Sequence, residues 1–521
     1  MTPKRSSRPF YVEVVMPVVF KTPYHIGSGD DDFKTDAPML RLPGGKVFIP
    51  GSTIRGALRS HAERESTLLG CTEDGVIGLF GPDRKDRNNH FGSRLRVYDV
   101  YPEPQPSNNI VPSAVITEEI RDHVAINPKW GAAESGAKFD MEAALPADCG
   151  YKLRLIYEGD SAEDEEYRIF VDSVDFIKQG HLRVGAKSGW GFGRLQWKES
   201  QPVSVRTFDR QDPVKLTEFL NMRLDPGTPA GKTLPACSER PKTAANQSLK
   251  PWAYLDLALN MHCEGPIIVK APIPPEPAPL VNPLADASNR SGYGSLGERE
   301  ADMIFITRSN DRKKYLPGSS IRGILRSQAR HICKISPMLK NNKSATESLF
   351  GMKKEGNHGR KTLLEVEDGE LISENAPYYF DHVAIDRITN AAEDGAKYST
   401  SPLVSPQFRI RMTLRFTEDD LAAVELFGFV LRDLMEGELW AGAGSGRGYG
   451  YIKNADIESV SVEIPITMPV SFSGEDGWQE KTVHSGRKQF IKERDVTISS
   501  LLPLWSLYED SLYKHQKGGC K

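Results

Sequence analysis

Apolar and polar positions alternate with the two-residue period of a half-buried strand in Tyr11-Val12-Glu13-Val14-Val15-Met16, and again in Tyr254-Leu255-Asp256-Leu257-Ala258-Leu259. Downstream of each comes the same punctuation. Phe48-Ile49-Pro50-Gly51-Ser52-Thr53-Ile54-Arg55-Gly56-Ala57-Leu58-Arg59-Ser60 returns as Tyr315-Leu316-Pro317-Gly318-Ser319-Ser320-Ile321-Arg322-Gly323-Ile324-Leu325-Arg326-Ser327. In both copies the apolar lead-in predicts a strand and Pro-Gly a sharp turn, while the hydroxyl residues predict the N-cap of a helix carrying Ile, Leu and Arg at helical spacing. Leu421 to Met435 reads as a further amphipathic helix.

The echo extends past this motif, in preserved order. Leu79-Phe80-Gly81 recurs as Leu349-Phe350-Gly351, and Asp122-His123-Val124-Ala125-Ile126 as Asp381-His382-Val383-Ala384-Ile385. Ala132 to Phe139 recurs as Ala391 to Tyr398, and the glycine-rich run Gly185 to Leu195 as Gly442 to Ile452. Two copies of one module, differing by loop insertions, account for this pattern. The class is α+β, with helices on one face of a sheet in each copy. The expected division is a first domain at 1–200, a linker at 201–251, a second domain at 252–469 and a C-terminal extension at 470–521, whose apolar Leu501 to Tyr508 reads as a docking element.

Composition narrows the classes. With 521 residues, 39% hydrophobic and 26% charged, the chain is long enough for at least two cores. It has no bilayer-length apolar run and no signal-peptide core, so the expected location is cytoplasmic, with no membrane partner. Six scattered cysteines form no C-x-x-C pair, which argues against zinc. A net charge of -3 carries no global nucleic-acid signal.

The candidate chemistry is therefore local. A helix start with open N–H groups, the hydroxyls of Ser52 or Ser319, and Arg55 and Arg59, or Arg322 and Arg326, suits a phosphate; the competing reading is a simple turn, cap and solvated helix face. The glycine-rich runs fit no nucleotide-binding fingerprint. Their glycines allow close backbone approach, and Lys187, Arg194 and Arg447 add charge beside the stacking faces of Trp190, Phe192 and Tyr449. Paired His123 and His382 suggest acid-base work at neutral pH, yet no second His, Lys or Tyr is placed to complete a pair, which favours a structural or RNA-contact role.

Taken together, this order of motifs resembles the RAMP superfamily, and within it the backbone subunits of type III CRISPR effector complexes. The resemblance implies two tandem RRM-like, ferredoxin-like domains with β-hairpin thumb insertions, stacked along guide RNA and paired with target RNA and other effector subunits. It places the Asp122 to Phe139 and Asp381 to Tyr398 segments in the thumbs, with Lys138 and Lys397 near phosphate. It also implies a catalytic Asp ahead of each Pro-Gly-Ser helix, which are Asp36 and Asp302 here. With an ordinary carboxyl pKa of about 3.9, such an Asp is a poor base for a 2′-hydroxyl, so a Mg²⁺-binding or positioning role is expected. Two alternatives stay open: a passive guide-RNA scaffold, and a metal-independent guide-processing endonuclease using a histidine.

Overall fold

The computed structural model describes residues 8–29, 35–66, 68–82, 92–103, 116–127, 132–146, 150–224, 231, 233–236, 250–270, 303–309, 311–335, 343–355, 358–375, 379–468, 470, 472, 477–483, 487–501 and 503–504. Asp302, the acidic run Asp30-Asp31-Asp32, Cys149, Cys237, Cys520 and residues 505–508 lie outside them.

In the first module the alternating segment forms the central strand β1 (Phe10–Phe20). Its residues Val12, Val14, Met16 and Val18 face a buried core, while Glu13 on the other face is held by Arg154 and Arg206. Helices α1 (Gly51–Glu65) and α2 (Glu73–Phe80) follow, then strands β2 (Leu95–Val97), β3 (Glu118–Ile126), β4 (Ala133–Ala144) and β5 (Tyr151–Gly159), helix α3 (Glu165–Lys178) and strand β6 (Leu195–Trp197). The sheet order is β2-β5-β1-β6, all antiparallel, which is the ferredoxin-like arrangement. Helix α1 turns Ile54, Leu58 and Ala62 into the core at i, i+4 spacing. Strand β7 (Ser204–Asp209), from the stretch that the sequence assigns to the linker, adds to the free flank of β1, and α4 (Pro213–Leu224) packs Phe219 on Tyr11.

The second module repeats the plan. Central strand β8 (Ala253–Glu264) is followed by α5 (Gly318–Ile335), α6 (Lys343–Phe350), β9 (Leu364–Val366), the hairpin β10 (Phe380–Ile385) and β11 (Ala392–Ser401), then β12 (Gln407–Phe416), α7 (Leu421–Met435) and β13 (Tyr451–Pro465). Strand β8 lies between β12 and β13, and β9 pairs with β12, giving the same order. Helix α7 covers the segment expected from the sequence and is preceded by a capping box between Thr417 and Asp420. A last hairpin, β14 (Gln479–Val483) and β15 (Arg487–Lys492), extends this sheet, and Leu501 and Leu504 are buried in its core.

The modules meet through ion pairs: the buried Arg121–Asp368 at 2.9 Å and Arg183–Glu365 at 2.7 Å, and the half-buried Arg194–Glu367 at 3.1 Å. His181 stacks on Tyr254 at 4.2 Å, and Arg487 of the second module bonds Glu65 of the first. Cys71 and Cys263 are buried free thiols, each pushed up to about 12 by burial, which leaves them unreactive packing groups.

Candidate nucleic-acid interface

The start of α1 is capped, but not by its own hydroxyls. Pro50 occupies the N-cap with no side-chain bond, and the first N–H, from Gly51, donates to Asp99 Oδ1 at 2.8 Å. In the second module Gly318 N–H donates to Asp368 Oδ1 at 2.9 Å. The expected hydroxyl cap is replaced because the turn presses against the neighbouring strand: a Cβ on Gly51 or Gly318 would lie 2.3 Å from Val97 O or Val366 O, bringing the following carboxylate within reach. Ser52 stays exposed and Ser319 half-buried.

The motif arginines reach the end of the next helix. Arg55 bonds Phe80 O and Arg59 bonds Gly81 O at 3.2 Å, while Arg322 bonds Phe350 O. The Pro-Gly-Ser and Leu-Phe-Gly motifs are thus two halves of one contact in each copy, with a guanidinium satisfying orphan helix carbonyls. Burial lowers Arg55, Arg326 and Arg322, the last to about 10, with like charges at Arg59, Arg330 and Arg326 adding to it.

The two thumbs are antiparallel hairpins, β3–β4 and β10–β11, in matching register: His123 faces Phe139, and His382 faces Tyr398. Their tips expose Val124, Ile126, Val383 and Ile385, each about half-exposed. Lys138 and Lys397 stand exposed beside them, paired with Asp122 at 3.2 Å and Asp381 at 3.3 Å. At each thumb base a second pair of motifs converges. His123 stacks on Phe139 and on Trp190 from the glycine-rich run, with the Lys187 ammonium over both rings at 4.9 and 4.6 Å. His382 stacks on Tyr398 and bonds Tyr449, with Arg447 over both tyrosines. Burial, with Arg121 and Lys187 nearby, lowers His123 to about 4; burial and Arg447 lower His382. Both imidazoles are neutral at neutral pH. His25, with no twin, is buried with Nδ1 on Glu142 O. Arg194 lies at the module junction on Glu367.

Asp36 is exposed at the base of the first thumb and locked to it reciprocally. Its N–H donates to Asp140 Oδ1 at 2.8 Å, and Asp140 N–H donates to Asp36 Oδ2 at 3.0 Å. Each carboxylate thus gives one oxygen to the other residue's N–H and keeps one oxygen outside this exchange, with Asp36 exposed and Asp140 half-buried. Among the described residues no group of three or more His, Cys, Asp or Glu forms a protein-only metal cage. Asp36 and Asp140 are the residues here that could hold an ion such as Mg²⁺, which takes one or two protein carboxylates and keeps several waters. In the second module Met303, next to Asp302, pairs with Thr400; Ser399 holds the place of Asp140.

The profile of the RAMP superfamily matches residues 18–196 and 261–453, one stretch in each module. The chain belongs to the RAMP superfamily. It is also similar to the CRISPR system Cms endoribonuclease Csm3 of Methanocaldococcus jannaschii, with 23% identity over 197 residues, covering 35% of this chain and 76% of that protein. The two-module RAMP architecture explains why every repeated motif is internal to a module. Asp99, Asp368 and Asp140 escaped sequence reasoning. The first two had a signal, an Asp two residues after a Val in Arg96-Val97-Tyr98-Asp99 and Glu365-Val366-Glu367-Asp368, whereas Asp140 has no twin.

Proposed function

We propose that this RAMP chain is a backbone subunit of a type III CRISPR ribonucleoprotein that holds guide RNA and cleaves paired target RNA at two metal-dependent sites, centred on Asp36 and Asp302. The observation that carries this reading is the pairing of exposed Asp36 with half-buried Asp140 at a thumb base, in a chain similar to a protein named as an endoribonuclease. RNA brings its own nucleophile. A nucleotide splayed by the exposed Val124 and Ile126 wedge can place its 2′-hydroxyl in line with the adjacent phosphorus. That oxygen then bonds phosphorus as the P–O5′ bond breaks, leaving a 2′,3′-cyclic phosphate and a 5′-hydroxyl. Asp36 and Asp140 would hold the Mg²⁺, which supplies positive charge to the phosphate oxygens. The reciprocal backbone bonds keep both carboxylates in place, and Lys138 and Lys397 give the thumbs charge for the RNA backbone. The second site has Ser399 on its thumb strand, one carboxylate fewer.

The neutral, buried His123 works against a histidine mechanism. The assembled complex, given complementary target or guide-precursor RNA, each with Mg²⁺ or with EDTA, separates the readings. Cleavage lost in EDTA and restored by Mg²⁺ is the expected result. Cleavage of guide-precursor RNA that survives EDTA would replace it with the processing reading, and no cleavage in either buffer with the scaffold reading.

A further inference from the structure

The internal junction is built from three arginines of the first module facing three acids of the second. Arg121, Arg183 and Arg194 meet Asp368, Glu365 and Glu367, and the two deepest pairs are almost fully buried, with side chains 5% and 4%, and 7% and 2%, exposed. Because the module's fold occurs twice in the chain, the counterpart of each face recurs on the other module. Their chemistry has changed.

On the second module, the strand register puts Phe380 where the first has Arg121. The bridge Arg183–Arg194 is repeated as the bridge Trp440–Tyr451. Three cations have become three aromatics, with Trp440 45% exposed. On the first module, β2 presents Arg96 in place of Glu365, then Tyr98 in place of Glu367, and keeps the acid as Asp99. Among the described residues Arg96, 55% exposed, pairs with Glu158 of its own module, and Asp99 is exposed with no cation partner.

Repeating the internal junction between two copies would set Phe380 on Asp99, Trp440 on Arg96 and Tyr451 on Tyr98. Trp440 over Arg96 returns a modest cation–π gain. Asp99, the acceptor for the α1 N-terminus, would be buried beneath a phenyl ring with no cation, and that penalty is the larger. We infer that the two outer faces of this chain reject each other, so that the face around Asp99 is taken by a RAMP module of a different protein, one that brings a cation where the first module has Arg121. The inference rests on the reading that such modules stack end to end, and it concerns which neighbour is admitted.

Sedimentation velocity of the full chain without RNA tests it apart from any cleavage. Wild type is expected to be monomeric at the highest attainable concentration. Phe380→Arg with Trp440→Glu supplies the charges that Asp99 and Arg96 lack, and is expected to tighten self-association at least about tenfold. Adding Arg96→Glu to that pair is expected to reverse the gain. Phe380→Arg alone is the milder arm, with a smaller gain in the same direction, should the double variant not show a native circular dichroism spectrum. Wild-type association dispersed by Trp440→Ala would overturn the inference, as would natively folded charge variants that stay monomeric.

Discussion

His123 shows what a repeated residue can and cannot say. Its motif, Asp122-His123-Val124, suggests acid-base chemistry, but the ring lies between Phe139 and Trp190, under Lys187, with Nε2 buried and unbonded. Protonation there is opposed by burial and by two nearby cations, so the folded pKa, about 4, lies below the unfolded value of about 6.5. The unfolded chain therefore binds the proton first. This contribution to stability is present above about pH 6.5, falls as the pH drops towards 4, and is flat below it. His123→Phe keeps the stack and removes the unbonded nitrogen. It should leave stability at pH 7 unchanged or raised and remove on the order of 2–3 kcal/mol of the acid sensitivity, measured by denaturant titrations across pH 4–7. Loss of target cleavage at pH 7 in that folded variant would instead restore a chemical role to the imidazole. Of the surroundings that decide this, Lys187 and Trp190 come from a run 64 residues downstream or more, beyond the reach of local pattern.

At the scale of elements, the central strands and the Pro-Gly-Ser helices were legible because each was written twice in hydrophobic period, and α7 because its own stretch is amphipathic. Central strands β1 and β8, and helices α1, α5 and α7, follow the alternating and helical patterns of their segments. The caps were not legible, since a strand 40 or more residues away supplies them. This gives matched substitutions with unequal effects. Asp99→Ala removes an exposed cap and should cost about 1 kcal/mol. Asp368→Ala removes the same bond and also takes one of two buried carboxylate partners from Arg121, which keeps Glu119, and should cost about 2–4 kcal/mol. Urea unfolding of the two variants beside wild type reads the difference; equal losses would mean that the junction pair adds nothing. Gly51→Ala drives a Cβ to 2.3 Å from a backbone carbonyl that cannot rotate away, and a loss of about 1–3 kcal/mol is expected in the same assay.

For the whole molecule, the duplication revealed the module and concealed the junction. Sameness between copies identifies what each module needs internally: the arginine-to-helix-end contact, the thumb and the glycine-rich turn. The junction lies in the differences, at Arg121, Arg183 and Arg194 against Phe380, Trp440 and Tyr451, and a search for repeats passes over those. The candidate site has the same character. Asp36 was found through the family resemblance, while its partner Asp140 is a single-copy residue that only the folded thumb brings to it. The central claim is that each module is a separate ribonuclease, and the most direct measurement maps cleavage of an end-labelled target by the guide-loaded complex at nucleotide resolution. Wild type, Asp36→Ala, Asp302→Ala and the double variant are compared in Mg²⁺. The account predicts that each single substitution deletes a different product and the double substitution deletes both. Identical products from all four proteins would contradict it and assign the cutting to another subunit.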